Sequence, residues 1–298
     1  DVCSSDLYPY NRAVVGVVNG FKADQAFESV GVPEGDAMHT LTMAGGAFQV
    51  IARVGESIPA DISGHRWGQI NYLAGSQMNI CNQPDGNVFV ATNEAATEGY
   101  LVTNYECRPG GVGKAYIRQA DDRWEVLEGE NINFDSVEGT WNNCGSSLTP
   151  WNTVLSSEEY EPPAMTDSWR TNVQDMTKYM GSQANPYDYG WNVELIQDTA
   201  GDSVATLVEK RYVLGRFSHE VALTMPDGKT VYHGDDGTGV VFFKTVADEA
   251  GDLSAGTIYA AKVTQQPDES LSLTWITLGS STDDDIAEAL MDMELPTE

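Results

Sequence analysis

The chain has 298 residues, enough to bury a sizeable core in one large domain or two ordinary ones. Its 45 acidic against 16 basic residues give a formal net charge of -29, spread along the length without a single acidic tail. A field of that sign repels nucleic acid and anionic membranes and attracts cations, as a salt-adapted, solubilising surface does, and no apolar run reaches membrane-spanning length.

The first residues, DVCSSDL, match one reading frame of a widely used short-read sequencing adapter. Asp1 to Leu7, Cys3 among them, are therefore expected to be foreign to the protein, and the gene is expected to begin before this chain does. Short β-like runs follow, with little helical periodicity. Candidate strands are 48–54, 69–73, 87–91, 99–104, 114–119, 124–127, 191–196, 230–234, 240–245, 257–263 and 271–278. Turn chemistry divides them at Pro84-Asp85-Gly86, Gly110-Gly111, Pro226-Asp227-Gly228 and Asp235-Asp236-Gly237. This density of strands and turns predicts an all-β architecture, and the length favours a propeller or large barrel over a small sandwich. The two Pro-Asp-Gly turns, each leading into an alternating strand and then a loop with acids, form a weak internal repeat of blade-like grammar. Residues 160–189 carry Pro162-Pro163 and little strand signal, so they read as a long excursion loop. Asp283, Asp284 and Asp285 ahead of IAEALMDM predict a short helix within 282–293. Residues 8–298 are thus expected to form one domain.

The four cysteines, Cys3, Cys81, Cys107 and Cys144, match neither a zinc ribbon nor a CxxC pair. Cys81 and Cys107 flank two successive predicted strands and are placed to pair in an exported protein, which leaves Cys144 unpaired. Cys144 stands in GTWNNCGSSLTPWNTVLSSEE, residues 139–159, between an asparagine pair and small residues, so a tight turn with little apolar cover is expected there. With Glu158 and Glu159 a strand-length away, the thiol reads as a nucleophile, as part of a mixed sulfur and carboxylate metal site, or as an ordinary loop cysteine. Trp141 and Trp151 read as core packing. Three other places put acids beside turns: Glu106 in NYECRPGG, His219-Glu220 after LGRF, and Asp235-Asp236 in HGDDG. Paired acids of the last kind are not buried together without a cation or proton between them. Taken with Cys144, they point to a polynuclear metal site.

The 139–159 segment, GRFSHE with the later GDD, GWNVE and GTIYAAKV resemble, in order from about Glu94 onward, the PhoX family of bacterial alkaline phosphatases. The most specific piece is NNC followed by TPW and the paired glutamates. The resemblance implies a six-bladed β-propeller, of which this chain is a part and so an incomplete ring. It further implies a monomer exported to the periplasm or beyond, an iron and calcium cluster, and hydrolysis of phosphate monoesters. It makes Cys144 the iron-bound thiolate and Glu106, Glu159, Glu220 and Glu298 metal carboxylates, with Glu158, His219, Asp235 and Asp236 nearby. The chain departs from the family pattern at Tyr105, where a histidine is common, and at Pro296, where an arginine precedes the last ligand. Those departures and the incomplete ring lead to the expectation that this piece alone is weakly active or inactive. They also leave a second reading, a propeller without catalysis that serves as a calcium-binding or surface interaction module.

Overall fold

The computed structural model describes residues 14–19, 47–121, 123–198 and 205–296, so Asp1 to Leu7 and Glu298 lie outside the described residues. Strands β1 (Val14–Asn19) and β2 (Ala47–Arg53) form one antiparallel pair, and β3 (Gln69–Asn71) and β4 (Gln77–Ile80) another. Three antiparallel meanders then follow in chain order. The first comprises β5 (Pro84–Ala91), β6 (Glu98–Tyr105), β7 (Gly111–Ala120) and β8 (Arg123–Asn131). The second comprises β9 (Asn143–Leu148), β10 (Val154–Glu158), β11 (Asn192–Asp198) and β12 (Ala205–Arg211). The third runs through β13 (His219–Thr224), β14 (Thr230–Asp235), β15 (Phe242–Glu249), β16 (Asp252–Gln265) and β17 (Leu271–Thr282).

The first strands of the meanders lie side by side, β9 between β5 and β13. Sheets that radiate from adjoining first strands are blades, and the fold is a partial β-propeller of three successive blades among the described residues. Apolar residues fill the joints between blades. Val88, Val90, Val102 and Val112 meet Val154, Val193 and Leu195 between the first and second. Leu155 meets Ala222, Val231 and Leu253 between the second and third. Burial of each such side chain is worth roughly 1.5–3 kcal/mol, which is why the joints and not the hairpins hold the blades together.

Two strands had no hydrophobic signature. β9 (NCGSSL) and β10 (VLSSE) are polar in sequence yet mostly buried. Several of their polar groups are bonded inside the fold: Ser156 donates to Asn104 at 3.1 Å, Asn143 to Ser156 at 2.9 Å and Ser157 to Asn192 at 2.9 Å, while Ser147 donates to the Ala222 carbonyl. Asn143 Oδ1 and Ser146 Oγ are buried with no hydrogen-bond partner among the described residues. Cys144 therefore sits in a strand and is 2% exposed, not in the open turn expected of its neighbours. Likewise Pro84-Asp85-Gly86 opens β5, whereas Pro226-Asp227-Gly228 is the hairpin turn between β13 and β14. The two Pro-Asp-Gly segments are not equivalent, and the weak repeat built on them is corrected.

The excursion of 160–189 contains α1 (Trp169–Asn172) and α2 (Gln174–Met180). It packs Trp169, Val173, Met176, Tyr179 and Tyr189 against Trp141 and Tyr105 in a core cluster of its own, so it is more than a loop. Cys81 and Cys107 form a disulfide at the edge of the same cluster. Helix α3 (Asp283–Met291) starts where the run of aspartates places it, with the Thr282 side chain capping the amide of Asp285 at 3.1 Å. No described helix is long and apolar enough to cross a membrane.

Candidate metal centre

The three blades present chemically similar residues at the same two places. The second residue of each innermost strand is Asp85 in β5, Cys144 in β9 and Glu220 in β13. The residue just past the second strand of each blade is Glu106 after β6, Glu159 after β10 and Asp236 after β14. One backbone bond fixes each pair in register: Glu106 donates to Gln83 O at 2.8 Å, Glu159 to Asn142 O at 3.1 Å and Asp236 to Ser218 O at 2.9 Å. In every case the acceptor immediately precedes the innermost strand. An up-and-down blade brings the start of its first strand and the end of its second to one edge, so six polar residues from three blades gather at one end of the propeller.

Glycines let these strands approach. A Cβ on Gly86 would stand 2.6 Å from Ser146 N and 2.7 Å from Cys144 O, and one on Gly145 would overlap the Glu220 carbonyl oxygen. Asn104 on β6 adds bonds to the Cys144 carbonyl at 2.7 Å and the Gly145 carbonyl at 3.0 Å. Close backbone approach thus sets the side chains that flank these glycines against one another.

The donor atoms of Cys144, Glu159 and Glu220 all lie within 4.8 Å of one another. The Cys144 thiol is 3.4 Å from both Asp85 Oδ2 and Glu220 Oε2. Asn142 Nδ2 spans the two neighbouring acids, 3.1 Å from Glu106 Oε1 and 3.5 Å from Glu159 Oε2. Burial, then the facing Asp85, Glu159 and Glu220 carboxylates, pushes the Cys144 thiol far up. Burial, together with a hydrogen bond shared with Glu106 and the charges of Glu106 and Glu220, raises Glu159 to about 8. Glu106 is also raised, by burial first. Such a group ionises fully only with positive charge at its centre. The donor chemistry fits a metal: a thiolate among carboxylates suits iron, and the flanking carboxylate oxygens suit a hard cation such as calcium.

The other candidates fall elsewhere. Glu158 points to the opposite side of its strand and is spent on structure. It accepts from Thr140 Oγ1 at 2.9 Å, Trp141 N at 3.1 Å, Gly190 N at 2.6 Å and Trp191 N at 3.0 Å, and it pairs with Lys210 at 3.5 Å. His219 is fully buried between Asn192 Nδ2 and Gly215 O, both at 2.9 Å, and burial lowers it to about 3, so it stays neutral. Asp235 accepts from Ser218 N at 3.2 Å. Asp236 donates through its backbone to Ser218 O at 2.9 Å, and the Asp236 and Glu159 carboxylates beside the Tyr160 phenol push that phenol up. Glu298 lies outside the described residues, although Pro296 just before it is held by Trp169 Nε1 at 3.0 Å. Asp85 and Asn142 were missed, the first because its segment read as a turn. The signal available for Asp85 was a ligand-type residue followed by glycine, which Asp85-Gly86 shares with Cys144-Gly145.

A thiol and carboxylates converging at one end of a propeller define a candidate metal centre. The family model for alkaline phosphatase PhoX matches residues 120–295, more than half of the chain, and the chain belongs to that family. It is also similar to the solved structure of Pseudomonas fluorescens PhoX in complex with vanadate, a transition state analogue. The TM-score is 0.49 at 19% identity, covering 71% of this chain and 54% of that one. The chain thus spans about half the length of that structure. No curated protein matches it.

Proposed function

We propose that the protein to which this chain belongs is a metal-dependent phosphatase of phosphate monoesters. Its iron and calcium would be held by Cys144, Glu159, Glu220, Glu106 and Asp85. One observation carries the reading: in a member of the PhoX family, the donor atoms of Cys144, Glu159 and Glu220 lie within 4.8 Å of one another.

A phosphate monoester near neutral pH bears close to two negative charges, and more develops on the leaving oxygen, so the reaction needs charge neutralisation and positioning above all. Bound cations supply both, on a chain whose overall charge of -29 repels the substrate. The chain's own residues arrange the site. Asn142 orients Glu106 and Glu159. Glu220, which is exposed, leaves one edge of the cluster open to an incoming ester. The Cys81 to Cys107 disulfide supports residence in an oxidising space such as the periplasm or the exterior.

The test is iron content and p-nitrophenyl phosphate hydrolysis of the full-length protein and its Cys144→Ala variant, each supplied with iron and calcium. The expected result is bound iron with a thiolate-to-iron absorption band and turnover, both lost in the variant. Equal activity in the two proteins would remove Cys144 from the site. The second reading, a calcium-binding or interaction module, is favoured by Pro296 at the arginine position. Its signature is retained metal without turnover.

A further inference from the structure

We propose that Arg108 binds the phosphate oxygens of the substrate, an assignment that rests on the phosphatase reading above. Beside the metal cluster lies an open hollow of about 580 Å³ whose wall includes Arg108, Trp141, Tyr160, Ser218, Asp235 and Asp236. Tyr160 and Asp236 connect it to the cluster: Tyr160 directly follows Glu159 in the chain, and Asp236 is tied through its backbone to Ser218 O at 2.9 Å, two residues before Glu220. Among the residues lining the hollow, Arg108 is the one cation. A phosphate dianion that approaches the cluster across this acidic wall needs a positive group on it, and a guanidinium presents parallel N–H donors that match two phosphate oxygens.

Arg108 is built into position. Its guanidinium carbon sits 4.8 Å from the centroid of the Trp141 ring, so one face is stacked and the N–H edges project sideways. That indole is itself fixed, by Nε1 donating to Tyr160 O at 2.9 Å and by stacking on Tyr189 at 5.8 Å. The backbone is tied on both sides: Cys107 is in the disulfide and accepts from Asn142 N at 2.8 Å, and Gly110 donates to Thr140 O at 2.8 Å. These bonds place Arg108 two residues beyond Glu106 and against the segment that leads to Cys144. No described carboxylate forms an ion pair with Arg108, in contrast to Arg211, which is surrounded by three. Arg216 lies near this wall but is spent on the carbonyls of Pro162, Tyr189 and Pro186.

The test measures inorganic phosphate binding by titration calorimetry, metal content and ester hydrolysis on the metal-loaded full-length protein. Arg108→Met keeps apolar cover on the indole, Arg108→Lys keeps charge without the fork, and Arg118→Met is a surface control. Expected are a loss of phosphate affinity of roughly 10- to 100-fold in R108M, a smaller loss in R108K and no loss in R118M. A matching rise in ester KM should occur at unchanged metal content. Wild-type phosphate affinity in R108M overturns the assignment of Arg108 and leaves the phosphatase reading standing. A wild-type protein that takes up metal but neither binds phosphate nor hydrolyses the ester overturns both.

Discussion

Cys144 Sγ stands 3.4 Å from Glu220 Oε2 across the joint between two blades, a contact that neither blade makes alone. Gly145 permits it. An alanine there drives its Cβ into the Glu220 carbonyl, within 3.1 Å of Val221 Cβ, and pushes β13 away from β9. Gly145→Ala is expected to cost about 1–3 kcal/mol in urea unfolding and to lower iron retention. Gly234→Ala, whose new Cβ meets nothing within 4 Å, is expected to stay within about 0.5 kcal/mol of wild type. Equal behaviour of the two variants would show that the blade joint does not set the cluster.

The outer strands of the first and third blades were legible because they follow the alternation of half-buried strands: β8 runs from Arg123 to Asn131 as exposed and half-buried positions in turn, interrupted once at Val126-Leu127. Strands β9, β10, β12 and β13 were not, whereas the innermost β5 was read in part as 87–91. In β10 all five residues are buried, and Ser156, Ser157 and Glu158 are satisfied by hydrogen bonds to Asn143, Asn192 and backbone amides, so the strand reads as a polar loop. The same physics hid Asp85. Its Pro-Asp-Gly context is turn chemistry by propensity, but Gly86 serves here to let β5 press against β9. Glu158 shows the converse. It adjoins Glu159 in sequence, yet strand alternation turns its side chain away from the cluster, which sequence spacing alone did not resolve.

Glu158 and Lys210 are both essentially without solvent contact, and Lys210 also reaches the Asp188 carbonyl and lies 4.7 Å over the Tyr189 ring. Removal of the cation leaves a buried carboxylate without its counter-charge. Lys210→Met is therefore expected to cost about 3–5 kcal/mol in thermal or denaturant unfolding. Adding Glu158→Gln should cost much less than the sum of the two single changes, because the stranded charge is gone. Strict additivity in that cycle would mean that the pair is not coupled.

The Cys81 to Cys107 bridge closes a span of 26 residues and pins the Arg108 segment. Its loss in Cys81→Ser/Cys107→Ser is expected to lower stability by roughly 3 kcal/mol from loop-closure entropy. Native thiol labelling should still leave Cys144 slow to react, since it is buried. Rapid labelling of Cys144 without denaturant would contradict the buried strand.

Asp283 begins helix α3, accepts from Val213 N at 2.9 Å and lies 3.3 Å from Arg211, which Glu194 and Glu209 already neutralise at 2.6 Å each. Burial outweighs these partners and raises its carboxyl from 3.8 to about 6. Between those values the folded chain holds a proton that the unfolded chain has released. Asp283 therefore makes stability fall as pH rises from about 4 to 6, a penalty of at most about 3 kcal/mol that is complete above pH 6. The buried, neutral His219 and His233 act in the opposite direction, costing stability as pH drops below 6.5, but they are common to wild type and variant. Asp283→Asn keeps an acceptor for Val213 and removes the titration. The stability of wild type minus that of D283N should fall between pH 4 and 6 and then level, with the variant at least as stable at pH 7. A flat difference, with D283N the weaker protein at every pH, would mean that the Arg211 attraction wins over burial at this helix start.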